Sequence, residues 1–123
     1  MSTSVFHVAH KALETRTVTL AGPATVGRCV GYDSLQTTVA GAPNVWGIAT
    51  TSGIIGDRIG VVTEGSVPGE AGAAVTIGQQ VASDALGRLV PATVGQTVLG
   101  RSIGAASGLG KFFEVHITRE GKA

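Results

Sequence analysis

The chain has 123 residues, enough for one domain with its own core and too few for a second of any size. Charged residues make up only 14% against 43% hydrophobic, and the net charge of +1 arises from nine basic and eight acidic residues scattered along the chain, with no basic stripe for a phosphate backbone. No nucleic-acid partner is expected, and Cys29, as the only cysteine, rules out an intramolecular disulfide and so a stapled secreted scaffold, which fits folding in a reducing cytoplasm.

The start of the chain lacks a basic segment followed by a continuous apolar run, and no later stretch approaches eighteen apolar residues, so neither secretion nor membrane insertion is expected. Val5, Phe6 and Val8 are apolar with no turn signals nearby, and residues 9–15 have mild helix propensity without a partner pattern. Residues 1–15 therefore read as an extended arm; the alternative is that they supply the domain's first strand. The β-rich domain is expected over residues 16–118, with residues 119–123 as a short charged tail that frays.

Nineteen glycines and the lack of a 3.6-residue apolar period make the domain mainly β, an antiparallel barrel or sandwich. Arg16-Thr17-Val18-Thr19-Leu20 alternates polar and apolar side chains and stops at the turn Ala21-Gly22-Pro23. Residues 26–32, 35–39 and 45–51 are the next strand candidates, separated by Asp33-Ser34 and residues 40–44. Residues 58–64 follow, then a connection at Pro68-Gly69-Glu70-Ala71-Gly72 and a strand at residues 74–77. Residues 81–83 and 88–90 flank Asp84-Ala85-Leu86-Gly87, where Asp can start a tight turn and Gly can finish it. Residues 98–106 and 112–118 flank a glycine-rich loop, and Phe113, Val115 and Ile117 share the face expected to cover the core.

Several motifs point toward chemistry and then fail. Gly100-Arg101-Ser102-Ile103-Gly104 spells the serine-hydrolase G-x-S-x-G pattern, but no helix follows, and no acidic residue separates Ser102 from His116 except Glu114 within a predicted strand. Residues 105–112 come near a phosphate-binding loop, yet Ala105 and Phe112 stand where a glycine and a hydroxyl residue are required. His7, His10 and His116 lack cysteine or carboxylate companions at ligand spacing, so no metal site is expected. Cys29 reads as a small buried apolar residue, and Trp46, the sole tryptophan, as a core or interface anchor. No catalytic residue and no cofactor are expected.

Val45-Trp46-Gly47-Ile48-Ala49-Thr50-Thr51, Gly56-Asp57-Arg58-Ile59-Gly60-Val61-Val62-Thr63-Glu64-Gly65 and the glycine-bounded residues 78–90 resemble the capsid cement, or head decoration, proteins of tailed bacteriophages, over about residues 22–118. The resemblance implies a small β domain behind an extended amino-terminal segment. It implies binding to the major capsid protein on the outer surface of an expanded head, stabilisation of the shell and no enzyme activity. It further implies a homo-oligomer, a trimer on the capsid, in the virion after synthesis in the host cytoplasm. Val5, Phe6, His7 and Val8 are then the expected capsid contacts and Trp46 the expected oligomer contact. Physics agrees, since a surface poor in charge and rich in small residues can lie against a large partner with little side-chain entropy lost, and repeated weak contacts sum to avidity. The competing readings are a structural subunit of another virion part, such as a tail tube or fibre base, and a small serine hydrolase built on Ser102 and His116.

Overall fold

A computed structural model describes residues 12–123; Val5, Phe6, His7, Val8 and His10 lie outside the described residues. The described chain is all strand: β1 (Ala12–Thr19), β2 (Cys29–Gly31), β3 (Val45–Ala49), β4 (Arg58–Glu70), β5 (Gln80–Ser83), β6 (Leu89–Pro91), β7 (Thr97–Ser102) and β8 (Phe112–Lys122). They form one antiparallel sheet in the order β2-β3-β4-β8-β7-β5-β6, with β1 also on β4. A parallel bridge between Ala71 and Leu89 and a 2.7 Å bond from Cys29 N to Gly87 O bring the ends of that order together, giving a nearly closed barrel.

The strand pairing repeats itself. In the first half Thr19 pairs with Arg58 and Val18 with Ile59; Ile48 pairs with Val62, and Cys29 with Ile48. In the second half Glu70 pairs with Phe112 and Gly69 with Phe113; Arg101 pairs with His116, and Gln80 with Arg101. Even the isolated bridges correspond, Ala24 to Gly53 and Val75 to Ala106. Each half is thus a four-strand unit, β1, β2, β3 and the start of β4, then the rest of β4, β5, β7 and β8. Strand β4 is the last strand of one unit and the first of the next.

Gly47 and Gly100 hold the same place in the two units and show why it takes glycine. A Cβ on Gly47 would stand 2.3 Å from the Val62 carbonyl oxygen, and one on Gly100 2.0 Å from that of His116, so neighbouring backbones approach closely there.

The barrel interior holds Ile48, Val62, Val67, Val81, Leu89, Leu99, Phe113, Val115 and Ile117 together with Cys29. A second cluster of Val18, Leu20, Ala24, Val30, Ala49, Ile59 and Val61 covers the opposite face of the first unit. Neighbours in sequence such as Cys29 and Val30, or Val61 and Val62, fall in different clusters, as the two-residue period of a strand requires.

Several sequence expectations are corrected. Residues 35–39 and 74–77 form no strand; each region makes a single bridge, Val30 to Gln36 and Val75 to Ala106. The stretch from residue 26 contributes only Cys29–Gly31, and β7 ends at Ser102. The connection expected at Pro68 to Gly72 is largely strand, because β4 runs to Glu70. Pro68 is tolerated because Glu70 N, which points the same way along the pleat, bonds to Gly27 O on the side away from β8, so the missing proline N–H subtracts nothing from the β4–β8 ladder. The arm boundary also moves: β1 takes up Ala12 to Thr15, expected to be arm. The end expected to fray instead continues β8, with Gly121 paired to Val98 and Lys122 to Thr97.

Candidate functional site

A four-residue turn recurs through the fold, with an aliphatic residue second and glycine third: Thr25-Val26-Gly27-Arg28, Ile54-Ile55-Gly56-Asp57, Thr76-Ile77-Gly78-Gln79, Thr93-Val94-Gly95-Gln96 and Gly108-Leu109-Gly110-Lys111. Every third-position glycine has φ between 80° and 90° (81°, 89°, 82°, 88° and 81°), the left-handed value a type II turn demands there. Four of the turns close with a backbone bond from the fourth N–H to the first carbonyl, at 3.1, 3.0, 3.0 and 3.3 Å for those ending at Arg28, Asp57, Gln96 and Lys111. In three of the five turns the fourth side chain accepts from the first N–H, Asp57 from Ile54 at 2.9 Å, Gln79 from Thr76 at 3.1 Å and Gln96 from Thr93 at 2.9 Å.

This geometry pushes the second residue outward. Val26 is 39% exposed, Ile55 69%, Ile77 70%, Val94 95% and Leu109 62%. Turn chemistry favours proline or almost any residue there, so it does not select an aliphatic side chain, yet each of these like turns presents one exposed aliphatic residue. The bridge between Ala24 and Gly53 sets the turns at Val26 and Ile55 side by side, that between Val75 and Ala106 does the same for those at Ile77 and Leu109, and the Val94 turn lies against the other end of β8, with Gly95 N bonded to Ala123 O at 3.1 Å. Beside Val26, an apolar groove of about 300 Å³ is lined by Ala12, Thr15, Thr50, Pro68 and Phe112.

Trp46 is half-buried; it packs on the second core cluster and stacks on exposed Tyr32, with centroids 5.3 Å apart and planes at 22°. Arg119, in the left-handed region at φ 51°, donates through Nη2 to the carbonyls of Trp46 and, at 2.8 Å, Thr63, tying β8 to the first unit.

The structure separates the residues of the hydrolase reading. Ser102 is buried, donates to the Thr76 carbonyl and accepts from Gln79 N at 3.0 Å, while His116 is exposed. Ser102 pairs with Val115 and His116 with Arg101, so the two side chains belong to opposite sheet faces and do not converge. Lys111 lies exposed in a turn. Cys29 is fully buried, and desolvation pushes its thiol up to about 12 against a smaller opposing hydrogen bond from Ser83. Among the described residues no group of three or more His, Cys, Asp or Glu is placed to hold a metal.

No curated protein sequence matches the chain. Among solved structures it is similar to the N base of head fiber gp8.5 of bacteriophage phi29, with a TM-score of 0.69 at 18% identity, over 89% of this chain and 97% of that one, which is a likeness of fold. The family model for phage cement proteins matches residues 8–117, nearly all of both four-strand units and the turns that carry the exposed aliphatics. The chain is a capsid-associated structural component of a phage head and belongs to the phage cement protein family.

Proposed function

We propose that the protein sits on the outer surface of the expanded head as a trimer, binds the major capsid protein and performs no catalysis. The observation that carries this reading is the repeated turn with its outward aliphatic residue, which supplies apolar contacts on a surface otherwise low in charge. A binder of the assembled shell alone stabilises it by mass action, and many symmetry-related weak sites give avidity. Residues 1–11 act as an arm, with Val5, Phe6, His7 and Val8 as further capsid contacts, and Trp46 supports the contact between copies. Synthesis occurs in the host cytoplasm.

The test is co-sedimentation with expanded capsids that lack the protein. Ile55→Asp combined with Val94→Asp should abolish binding while the domain melts as before, both positions being exposed. Deleting residues 2–11 should weaken binding with little change in melting. Undiminished binding by the double variant would refute the turn contacts, and undiminished binding by the truncated chain would refute the arm.

A further inference from the structure

Among the described residues the two units meet through a contact that is made once inside the chain and left unmade at its other end. The turn that opens the second strand of the first unit, Val26-Gly27-Arg28, packs on the start of the second unit. Glu70 N donates to Gly27 O at 2.8 Å, Arg28 Nε pairs with Glu70 Oε1 at 3.0 Å, and Val26 and Phe112 line one groove. The fit is close: a Cβ on Gly27 would stand 2.4 Å from the Phe112 ring.

The pairing registers give the counterparts of each residue. Thr19 pairs with Arg58 as Glu70 pairs with Phe112, so Thr19 stands for Glu70 and Arg58 for Phe112. The turn Ile77-Gly78-Gln79 stands for Val26-Gly27-Arg28. None of these meets its opposite number among the described residues. Ile77 is 70% exposed, a Cβ on Gly78 would find nothing within 4 Å, and Thr19 and Arg58 are both exposed. Among the described residues strand β1 pairs only with β4, and Leu20 N bonds to Asp57 O toward β4, which turns the Thr19 N–H toward the edge that these residues leave unpaired.

We propose that a second copy of this chain covers that edge, its Ile77-Gly78-Gln79 turn docking on Thr19 and Arg58 of the first and so repeating between copies the joint the repeat makes within one. The Thr19 N–H then donates to the Gly78 carbonyl, which also receives Arg101 Nη1 at 3.2 Å and has a second lone pair free for it. Gln79 stands where Arg28 stood and offers its amide N–H₂ to the Thr19 hydroxyl, and Ile77 covers the aliphatic stem of Arg58. The contact joins two different surfaces, so it is heterologous, and each copy keeps one of each to offer a neighbour. It rests on the reading of the chain as a homo-oligomer, and it assigns Ile77 to the contact between copies, leaving the exposed aliphatics of the other turns to the capsid.

Two single-cysteine variants test it, Thr19→Cys and Gln79→Cys, treated with a short bismaleimide at high protein concentration; buried Cys29 stays out of reach. Cross-linked dimer should appear when the two variants are mixed and be at least tenfold lower with either alone. Ile77→Asp introduced into the Gln79→Cys chain should remove it, and sedimentation of Ile77→Asp alone should shift to the monomer. Equal cross-linking within one variant would overturn the head-to-tail contact. Oligomers by sedimentation without any cross-link in the mixture would overturn this joint while leaving the homo-oligomer standing, and a monomer at every concentration would overturn both.

Discussion

Cys29 shows how burial settles the chemistry of a single side chain. Its thiol is pushed up from 9.0 to about 12, so between those values the unfolded chain releases the proton while the folded one keeps it. Stability from this residue is complete below pH 9 and is lost as pH rises toward 12. Denaturant titrations at pH 8 and pH 10.5 should show a fall in stability that is smaller for Cys29→Ala than for the parent, and the native thiol should resist aromatic disulfide reagents at pH 8 yet react at once when unfolded. Glu120 illustrates the opposite sign at the surface. The Arg101 guanidinium, with help from Gln80 and Thr118, holds its carboxyl down to about 2, so its small contribution is present above the ordinary range near 4.5 and is lost as pH falls toward 2. Much at this scale could be read from the letters alone. A lone cysteine among small apolar residues is buried, and Phe113, Val115 and Ile117 point inward because alternation along a strand leaves no other arrangement. The exposed aliphatics of the turns were less legible, because the glycine spacing was visible while Val26 and Ile77 read as parts of strands and Ile55, Val94 and Leu109 as ordinary loop residues.

Glycine substitutions separate turn strain from close packing among the elements. Gly100→Ala, with its Cβ against a backbone oxygen that cannot rotate away, should cost at least the about 1–3 kcal/mol usual for overpacking. Gly56→Ala has open space around it but φ of 89°, so about 1–2 kcal/mol of left-handed strain is expected, whereas Gly108→Ala, open and without positive φ, should be neutral or stabilising by about 0.4–1 kcal/mol. Urea midpoints at fixed slope would rank the three, and a Gly100→Ala protein as stable as the parent would contradict the close approach. The strand errors share one cause. Residues 35–39 and 74–77 have strand composition but lack a ladder partner, and Pro68-Gly69 has turn composition but lies where β8 supplies one, so pairing overrode local propensity in both directions. The hairpin at Asp84 and Gly87 was legible because its chemistry is local: Asp84 Oδ1 accepts from Leu86 N and Arg88 N at 2.8 Å, and Gly87 takes φ of 80°.

For the whole molecule, the mainly β class and the family were within reach of the sequence, and the duplication was not. The two units share few letters beyond pairs such as Thr25-Val26-Gly27 with Thr76-Ile77-Gly78, while their pairing registers agree strand by strand. Strand β4, common to both units, should make them unfold as one. Two proline substitutions on its first half, Val61→Pro and Thr63→Pro, should therefore abolish the second unit's protection from hydrogen exchange together with the first's; survival of protection in β7 and β8 would show that the units fold separately.

That shared strand also fixes how the protein answers a pull. A head under internal pressure stretches its skin, and any strap across it carries tension between the points where it is fastened. With turn tips of one unit fastened at one place and those of the other elsewhere, the load would pass from Arg58 to Glu70 along an unbroken polypeptide rather than across a seam of hydrogen bonds. The covalent chain is the tendon, and the strands paired along its two halves serve to anchor its ends.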